Sequence, residues 1–137
     1  MNSHVQPARP RQPGQRRTRQ RAAISDLLSE LQDFRTAQQI HDLLRNNGEA
    51  VGLTTVYRTL QAMSDAGEVD VIRHDGEAAF RRCATTAHHH HLVCRSCGHA
   101  VEIFAPDVEQ WADEVALKHD FRDIDHELEI FGLCNRC

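Results

Sequence analysis

An α+β protein in two parts is what the order of periodicities predicts: a winged helix built from three helices and a β-hairpin, then a small α/β unit bracketed by two Cys-x-x-Cys pairs. Charge divides at about the same place. Residues 1–60 carry nine Arg against five acids, net +4, while residues 61–137 carry seven basic and fifteen acidic residues, net −8. A chain of 137 residues suits one compact unit or two small ones, and a unit of roughly 60–80 residues is marginal without a metal, a disulfide or a partner. The expected partition is a disordered basic tail over 1–15, a winged helix over 16–83, a hinge over 84–87 and the α/β unit over 88–137.

Each element has a local signature. Pro7, Pro10, Pro13 and Gly14 lie among Gln and Arg, a composition that buries nothing. Ile24, Leu27, Leu28 and Leu31 then recur at helical spacing. Thr36 with Gln39 forms a capping-box start for Ala37, Ile40 and Leu44, and Gly48 ends that helix. Thr54 is placed to cap a third helix whose apolar face is Val56, Leu60 and Met63, with Gly67 beyond its end. Val69–Ile72 and Ala78–Arg81, joined around Asp75-Gly76, read as a hairpin. The long connection from Gly48 to Leu53 fits a winged helix better than a tight helix-turn-helix. Beyond the hinge come a strand (88–93), a Cys-x-x-Cys turn, a strand (100–104), a helix opened by Pro106 with Val108, Trp111, Ala112 and Val115 as its apolar stripe, a strand (124–131) and the second Cys-x-x-Cys.

The N-terminal half is suited to a polyanion. Residues 1–21 hold six Arg and no acid, and 15 of the 16 basic residues are Arg, whose planar fork matches phosphate. The third helix presents Thr55, Tyr57, Arg58 and Gln61 opposite its apolar face. In a major groove, Arg58 and Gln61 would reach base edges while Thr55 and Tyr57 reach phosphates or methyl groups. Arg58 is the expected base reader, and Tyr57, Arg19 and Arg21 are expected backbone contacts on double-stranded DNA.

The C-terminal half is suited to metal. No apolar stretch approaches the ~18 residues a membrane span needs and no hydrophobic run follows the basic start, so a cytoplasmic protein with reduced thiols is expected. Cys94, Cys97, Cys134 and Cys137 form two matched pairs 36 residues apart, which complete a tetrahedral zinc shell and leave no place for water. The rival readings are a redox dithiol or buried thiols. His88-His89-His90-His91 lies in a strand, where successive side chains point to opposite faces. His88 and His90 therefore share one face, His89 and His91 the other, and each pair recruits partners from among Cys83, Asp70, Glu109 and His126. Spacing alone does not divide these partners between the faces. A zinc hydrolase or deaminase is disfavoured: there is no H-E-x-x-H helix, and Val93 rather than Pro precedes Cys94. No enzyme activity, catalytic residue or small-molecule substrate is expected.

Three segments carry a family resemblance: Gly52-Leu-Thr-Thr-Val-Tyr-Arg-Thr-Leu60, His88-His-His-His-Leu-Val-Cys-Arg-Ser-Cys97 and Glu129-Ile-Phe-Gly-Leu-Cys-Asn-Arg-Cys137. From about Thr18 to Cys137 the chain resembles the ferric-uptake-regulator (Fur) family of bacterial metalloregulators, in its actinobacterial zinc-uptake regulator branch. The resemblance implies a homodimeric, zinc-activated repressor with a DNA-binding winged helix and a dimerisation domain. Such a protein binds palindromic operators of zinc-uptake and zinc-homeostasis genes and releases them when zinc is scarce. It implies up to three Zn2+ per subunit: a structural site at Cys94, Cys97, Cys134 and Cys137, a regulatory site at Asp70, Cys83, His89 and His91, and an additional site at His88, His90, Glu109 and His126. The hairpin is one residue shorter before Cys83 than the family pattern, a departure that bears on Asp70. The alternatives are an iron- or peroxide-sensing relative, which would more often use nitrogen and oxygen ligands than the Cys83 thiolate, and a zinc store or chaperone, which would leave the Arg-rich start and the Tyr57-Arg58 helix idle.

Overall fold

The computed structural model describes residues 13–83 and 87–137. Helix α1 (Pro13–Glu30), strand β1 (Arg35–Thr36), helices α2 (Ala37–Asn46) and α3 (Leu53–Asp65), and strands β2 (Val69–His74) and β3 (Glu77–Arg82) make the N-terminal half, with strand order β1-β3-β2. Ile24, Leu28, Ile40, Leu44, Val56, Leu60 and Met63 are almost fully buried and form its core with Val69 and Phe80. This is a winged helix.

Several boundaries differ from expectation for local reasons. The basic tail expected over 1–15 is shorter, because Pro13, Gly14 and Gln15 already belong to α1; Pro in a first helical turn forfeits no hydrogen bond. The rest of that tail, 1–12, lies outside the described residues, as do 84–86 of the expected hinge. The Thr36–Gln39 capping box forms with both reciprocal bonds, at 3.2 and 3.0 Å. Thr54 is not a cap: Gly52 occupies that place without a side-chain bond, and Thr54 stands inside α3 on its exposed side. Asp75 (φ 52°) and Gly76 (φ 79°) both adopt left-handed backbone, which a two-residue hairpin turn of type I′ requires. Strand β1, at two residues too short to show an alternation, closes onto β3 with Arg35 opposite Phe80.

The C-terminal half has strands β4 (His90–Cys94), β5 (Ala100–Ile103) and β6 (Glu129–Gly132) and helix α4 (Pro106–Lys118), with β4 central, antiparallel to β5 and parallel to β6. The expected strands are longer than the observed ones. Strand β4 begins only at His90, and its ladder with β6 starts at His91↔Glu129. Among the described residues, 124–127 therefore have no part of β4 opposite them. Pro106 does open α4, with Asp107 and Glu109 in the first turn and Lys118 in the last, as the helix dipole favours. The expected apolar stripe is not buried by the described residues. Val108 and Ala112 are half-buried, Trp111 is 64% exposed, and Ala116 is the buried residue of the helix.

The two halves meet along a seam with a small core of its own. Phe34, Ile72, Val93 and Ala100 are buried together, flanked by Ala79 and Phe131. Around this core, Phe34 N–H donates to Gly98 O at 2.9 Å and Arg35 Nη1 to Cys97 O at 2.9 Å. Arg81 donates to Gln32 O at 2.8 Å and to Glu102 Oε1 at 3.1 Å. Gly98 has φ 79° and lies so close to Phe34 that a Cβ would strike its carbonyl oxygen, so both the backbone and the approach require glycine there. Among the described residues no helix is long and apolar enough to cross a membrane.

Candidate metal centres and nucleic-acid face

Two turns bring the four paired cysteines together. Cys94 ends β4 and Cys97 follows one turn later, while Cys134 and Cys137 follow β6, so the ladder between these strands sets the two pairs side by side. Cys94 and Cys137 sulfurs are 3.8 Å apart, Cys97 and Cys134 3.7 Å, and Cys134 and Cys137 3.5 Å. A tetrahedron with metal–sulfur bonds of about 2.3 Å has edges of about 3.8 Å, so the four sulfurs already have the dimensions of a zinc shell. All are free thiols. Backbone N–H groups of Cys134 and Cys97 directed at Cys94 Sγ lower its pKa to about 6. The Ser96 hydroxyl acts in the same sense on Cys137, but the three neighbouring sulfurs outweigh it and push that thiol up to about 12.

The four histidines divide between two faces in alternation, although only His90 and His91 lie in β4, and the fold supplies their partners. On one face, His88, His90 and His126 direct Nε2 at Glu109 Oε1 from 3.0, 2.7 and 3.0 Å, and His88 and His126 Nε2 are 3.2 Å apart. Glu109 comes from the first turn of α4 and His126 from the segment before β6. On the other face, His89 and His91 Nε2 are 3.1 Å apart and each is 3.0 Å from Asp70 Oδ2. Cys83 reaches this set through Asp70, its thiol donating to Oδ1 at 3.0 Å. Asp70 stands on β2 and Cys83 just past β3, whereas the histidines belong to the other half. This cluster therefore straddles the seam.

The donor sets fit a divalent cation. A neutral imidazole has one N–H, so nitrogens converging within about 3 Å of each other and of a shared carboxylate cannot all be satisfied by hydrogen bonds. Lone pairs aimed at one point are what a small cation coordinates. Electrostatics agrees. Burial works to raise Asp70, but hydrogen bonds from His91, Cys83 and His89 hold it well below the usual carboxylate range. Desolvation likewise opposes ionisation of Glu109, and His90 and His126 outweigh it, lowering its pKa. Burial and the neighbouring Asp70 push Cys83 up to about 12, so the metal-free thiol keeps its proton.

On the N-terminal half, α3 exposes Tyr57, Arg58 and Gln61. Thr55 lies round the side, half-buried, and Thr54 takes its place on the open face, a position that assigning Thr54 to the cap obscures. Gln61 Nε2 is held by Asp65 at 3.1 Å, and Arg21 by Glu68 at 3.0 Å, whereas Arg19 is exposed. A cleft of about 410 Å³ separates α3 from the hairpin, lined by Tyr57, Gln61 and Arg73 among others. Sequence reading missed Arg73. Its signal was a lone Arg on the hairpin, on the same face of β2 as Val71 and opposite to the buried Ile72.

Residues 12–131 match the model of the ferric uptake regulator family. This chain belongs to that family. Among curated Fur-family proteins it is 59% identical over 125 residues to the zinc uptake regulation protein of Mycobacterium tuberculosis, covering 90% of this chain and 95% of that protein. Among solved structures, FurB from M. tuberculosis, a zinc uptake regulator, shares 59% identity over 91% of this chain and 97% of its own, at a TM-score of 0.57. A zinc uptake regulator complexed with zinc and DNA is 26% identical, over 86% of this chain and 80% of its own, at a TM-score of 0.70.

Proposed function

We infer that this chain is a zinc-responsive transcriptional repressor that binds palindromic operators of zinc-uptake and zinc-homeostasis genes as a zinc-loaded homodimer and releases them when zinc is scarce. One observation carries the reading: a ligand cluster whose members come from both halves, next to a helix that exposes Tyr57, Arg58 and Gln61. The division adopted is a winged helix reaching to residue 83, a hinge over 84–87 and a dimerisation domain over 88–137. Cys94, Cys97, Cys134 and Cys137 would hold the structural zinc; Asp70, Cys83, His89 and His91 the regulatory one; His88, His90, Glu109 and His126 the additional one.

Asp70, Cys83, His89 and His91 would hold a zinc ion whose coordination would link the halves, and only an arrangement that brings both halves' ligands together would bind it well. Differential affinity of that kind shifts the population toward the arrangement that binds. Arg58 and Gln61 read bases, Gln61 after leaving Asp65; Tyr57, Arg19 and Arg21 grip the backbone together with Thr54 in the place expected of Thr55, Arg21 after leaving Glu68. Two-fold symmetry then sets the half-site spacing of the operator. A second copy of the chain accounts for the apolar surface of the C-terminal half, where Phe104, Trp111, Leu117 and Phe121 are each more than 60% exposed, an amount a monomer seldom leaves bare. Further support comes from the two solved relatives. The 59% identical one superposes less well than the 26% identical one in complex with zinc and DNA, as expected if the halves pivot between states. Thiolate chemistry at Cys83 favours zinc over iron or manganese, so iron and peroxide sensing are not favoured. No residue is assigned a catalytic role, and reduced thiols suit a cytoplasmic protein.

The test is operator binding as a function of free zinc for the wild type and for Cys83→Ser. The wild type should bind DNA only with zinc, and the variant should need at least about tenfold more while remaining a dimer, as expected when a first-row metal loses its soft ligand. DNA binding that persists unchanged in strong chelator would refute the reading.

A further inference from the structure

We propose that Glu129 is the positioning carboxylate of His91: it accepts a hydrogen bond from Nδ1–H and thereby keeps the Nε2 lone pair directed at the regulatory site. The proposal rests on the function inferred above and adds a residue to it. His91 lies opposite Glu102 of β5 and opposite Glu129 of β6, so a row of carboxylate, imidazole and carboxylate crosses the sheet. Glu102 is occupied by Arg81 at 3.1 Å, which leaves Glu129.

A neutral imidazole that ligates through Nε2 carries its proton on Nδ1, and that N–H needs an acceptor. His89 has one, the Ala87 carbonyl at 2.7 Å from Nδ1. His91 does not. Among the described residues its Nδ1 is buried without a hydrogen-bond partner, and the Phe34 ring stands perpendicular to the His91 ring with centroids 5.1 Å apart. The acceptor beside it is Glu129 Oε1 at 3.7 Å, about half an ångström beyond hydrogen-bond range. Glu129 can close that gap: its side chain is 25% exposed and lines, with Asp70, His89 and His91, an open cleft of about 260 Å³. A buried N–H left without its acceptor destabilises the ligating tautomer, whereas the paired one is fixed in it.

The experiment compares wild type, Glu129→Ala and Glu129→Gln as full-length dimers with the four-cysteine site loaded. Chelator competition reads regulatory-site zinc affinity directly, without DNA. Glu129→Ala should weaken it about 10–100-fold, the usual consequence of losing a partner that orients a metal-ligating histidine. Glu129→Gln should recover most of the loss, because its amide oxygen still accepts from Nδ1–H. In zinc-loaded protein, histidine-selective 15N NMR should show a protonated His91 Nδ1 whose shift moves in the Gln variant. Affinity within twofold of wild type for Glu129→Ala overturns the proposal. So does a Gln variant as weak as Ala, which would make Glu129 a ligand or a bare charge. Should the Ala variant fail to fold, the Gln variant and the wild-type tautomer decide, and an unprotonated His91 Nδ1 in the loaded wild type is again fatal. A wild type that binds zinc but not operators would sink the inferred function while leaving these zinc measurements decisive for Glu129.

Discussion

The four-cysteine cluster and the Asp70–His89–His91 cluster are both sets of donors converging within 4.8 Å, yet they are built on opposite plans. All four sulfurs belong to the C-terminal half, supplied by two turns that the β4–β6 ladder holds side by side. The seam cluster takes Asp70 and Cys83 from the hairpin side and its histidines from across the seam. A site confined to one half stabilises that half whatever the other does. A site shared between halves has an affinity that depends on how they are set, so it can convert metal concentration into arrangement. Thiol chemistry does not follow that division: Cys94 is lowered to about 6, but Cys137 in the same cluster and Cys83 at the seam are both pushed up to about 12, and Cys83 donates a hydrogen bond to Asp70.

The largest expected effect breaks the first plan. Cys134→Ser should cost the C-terminal half its fold and the protein its dimer, since structural zinc sites contribute on the order of 10 kcal/mol to folding. Circular dichroism and size-exclusion chromatography check this, and a normal dimer would show that the thiols are not a structural site. A smaller effect isolates the seam. Gly98→Ala forces a side chain onto the Phe34 carbonyl at a left-handed φ of 79°. Zinc content and dimerisation should survive, while operator affinity at saturating zinc falls by about tenfold, which corresponds to about 1.4 kcal/mol. Unchanged affinity would mean that the contact of the Cys94–Cys97 turn with Phe34 plays no part in setting the halves.

The smallest effect is a crossing of pH dependences. In metal-free protein Asp70 is held below its usual pKa, so its contribution to stability is present above the unfolded carboxylate value and is lost as pH falls through the folded one. Burial works to lower His89, but the Ala87 carbonyl and Asp70 raise it. Its contribution is therefore complete below the unfolded histidine value and is lost as pH rises through the folded one. The metal-free seam should be most stable between those ranges, at roughly pH 4–6.5, and weaken slightly toward pH 8. Zinc affinity should run the other way, because ligation needs neutral imidazole and thiolate. Denaturant titrations of chelated protein and zinc titrations at pH 5.5 and 7.5 check both signs.

Signals confined to a few neighbouring residues are legible in the amino-acid sequence itself. The capping box at Thr36 and Gln39, the turn at Asp75-Gly76, the paired cysteines and the two faces of the histidine run depend on period and residue type within one segment. The turn and spacing of a single stretch of backbone largely determine such features. Two expectations fail for one reason, that each depends on a neighbour from elsewhere in the fold: the α4 stripe is expected to be buried although the described residues leave Trp111 uncovered, and the last strand is expected from residue 124 although its ladder with β4 starts only at Glu129. The Thr54 cap fails for a local reason, since Gly52 takes the cap and the helix starts at Leu53.

The chain order alone established a winged helix ahead of an α/β unit, a sulfur site, and two histidine faces in need of partners. Tertiary structure decided which partners came: Asp70 with His89 and His91 across 19 and 21 residues, and Glu109 and His126 with His88 and His90. It alone revealed the buried Phe34 seam, the Gly98 contact and the Glu129 carboxylate beside His91. Contacts between distant segments follow from how whole elements pack to bury apolar surface, and no local period encodes that.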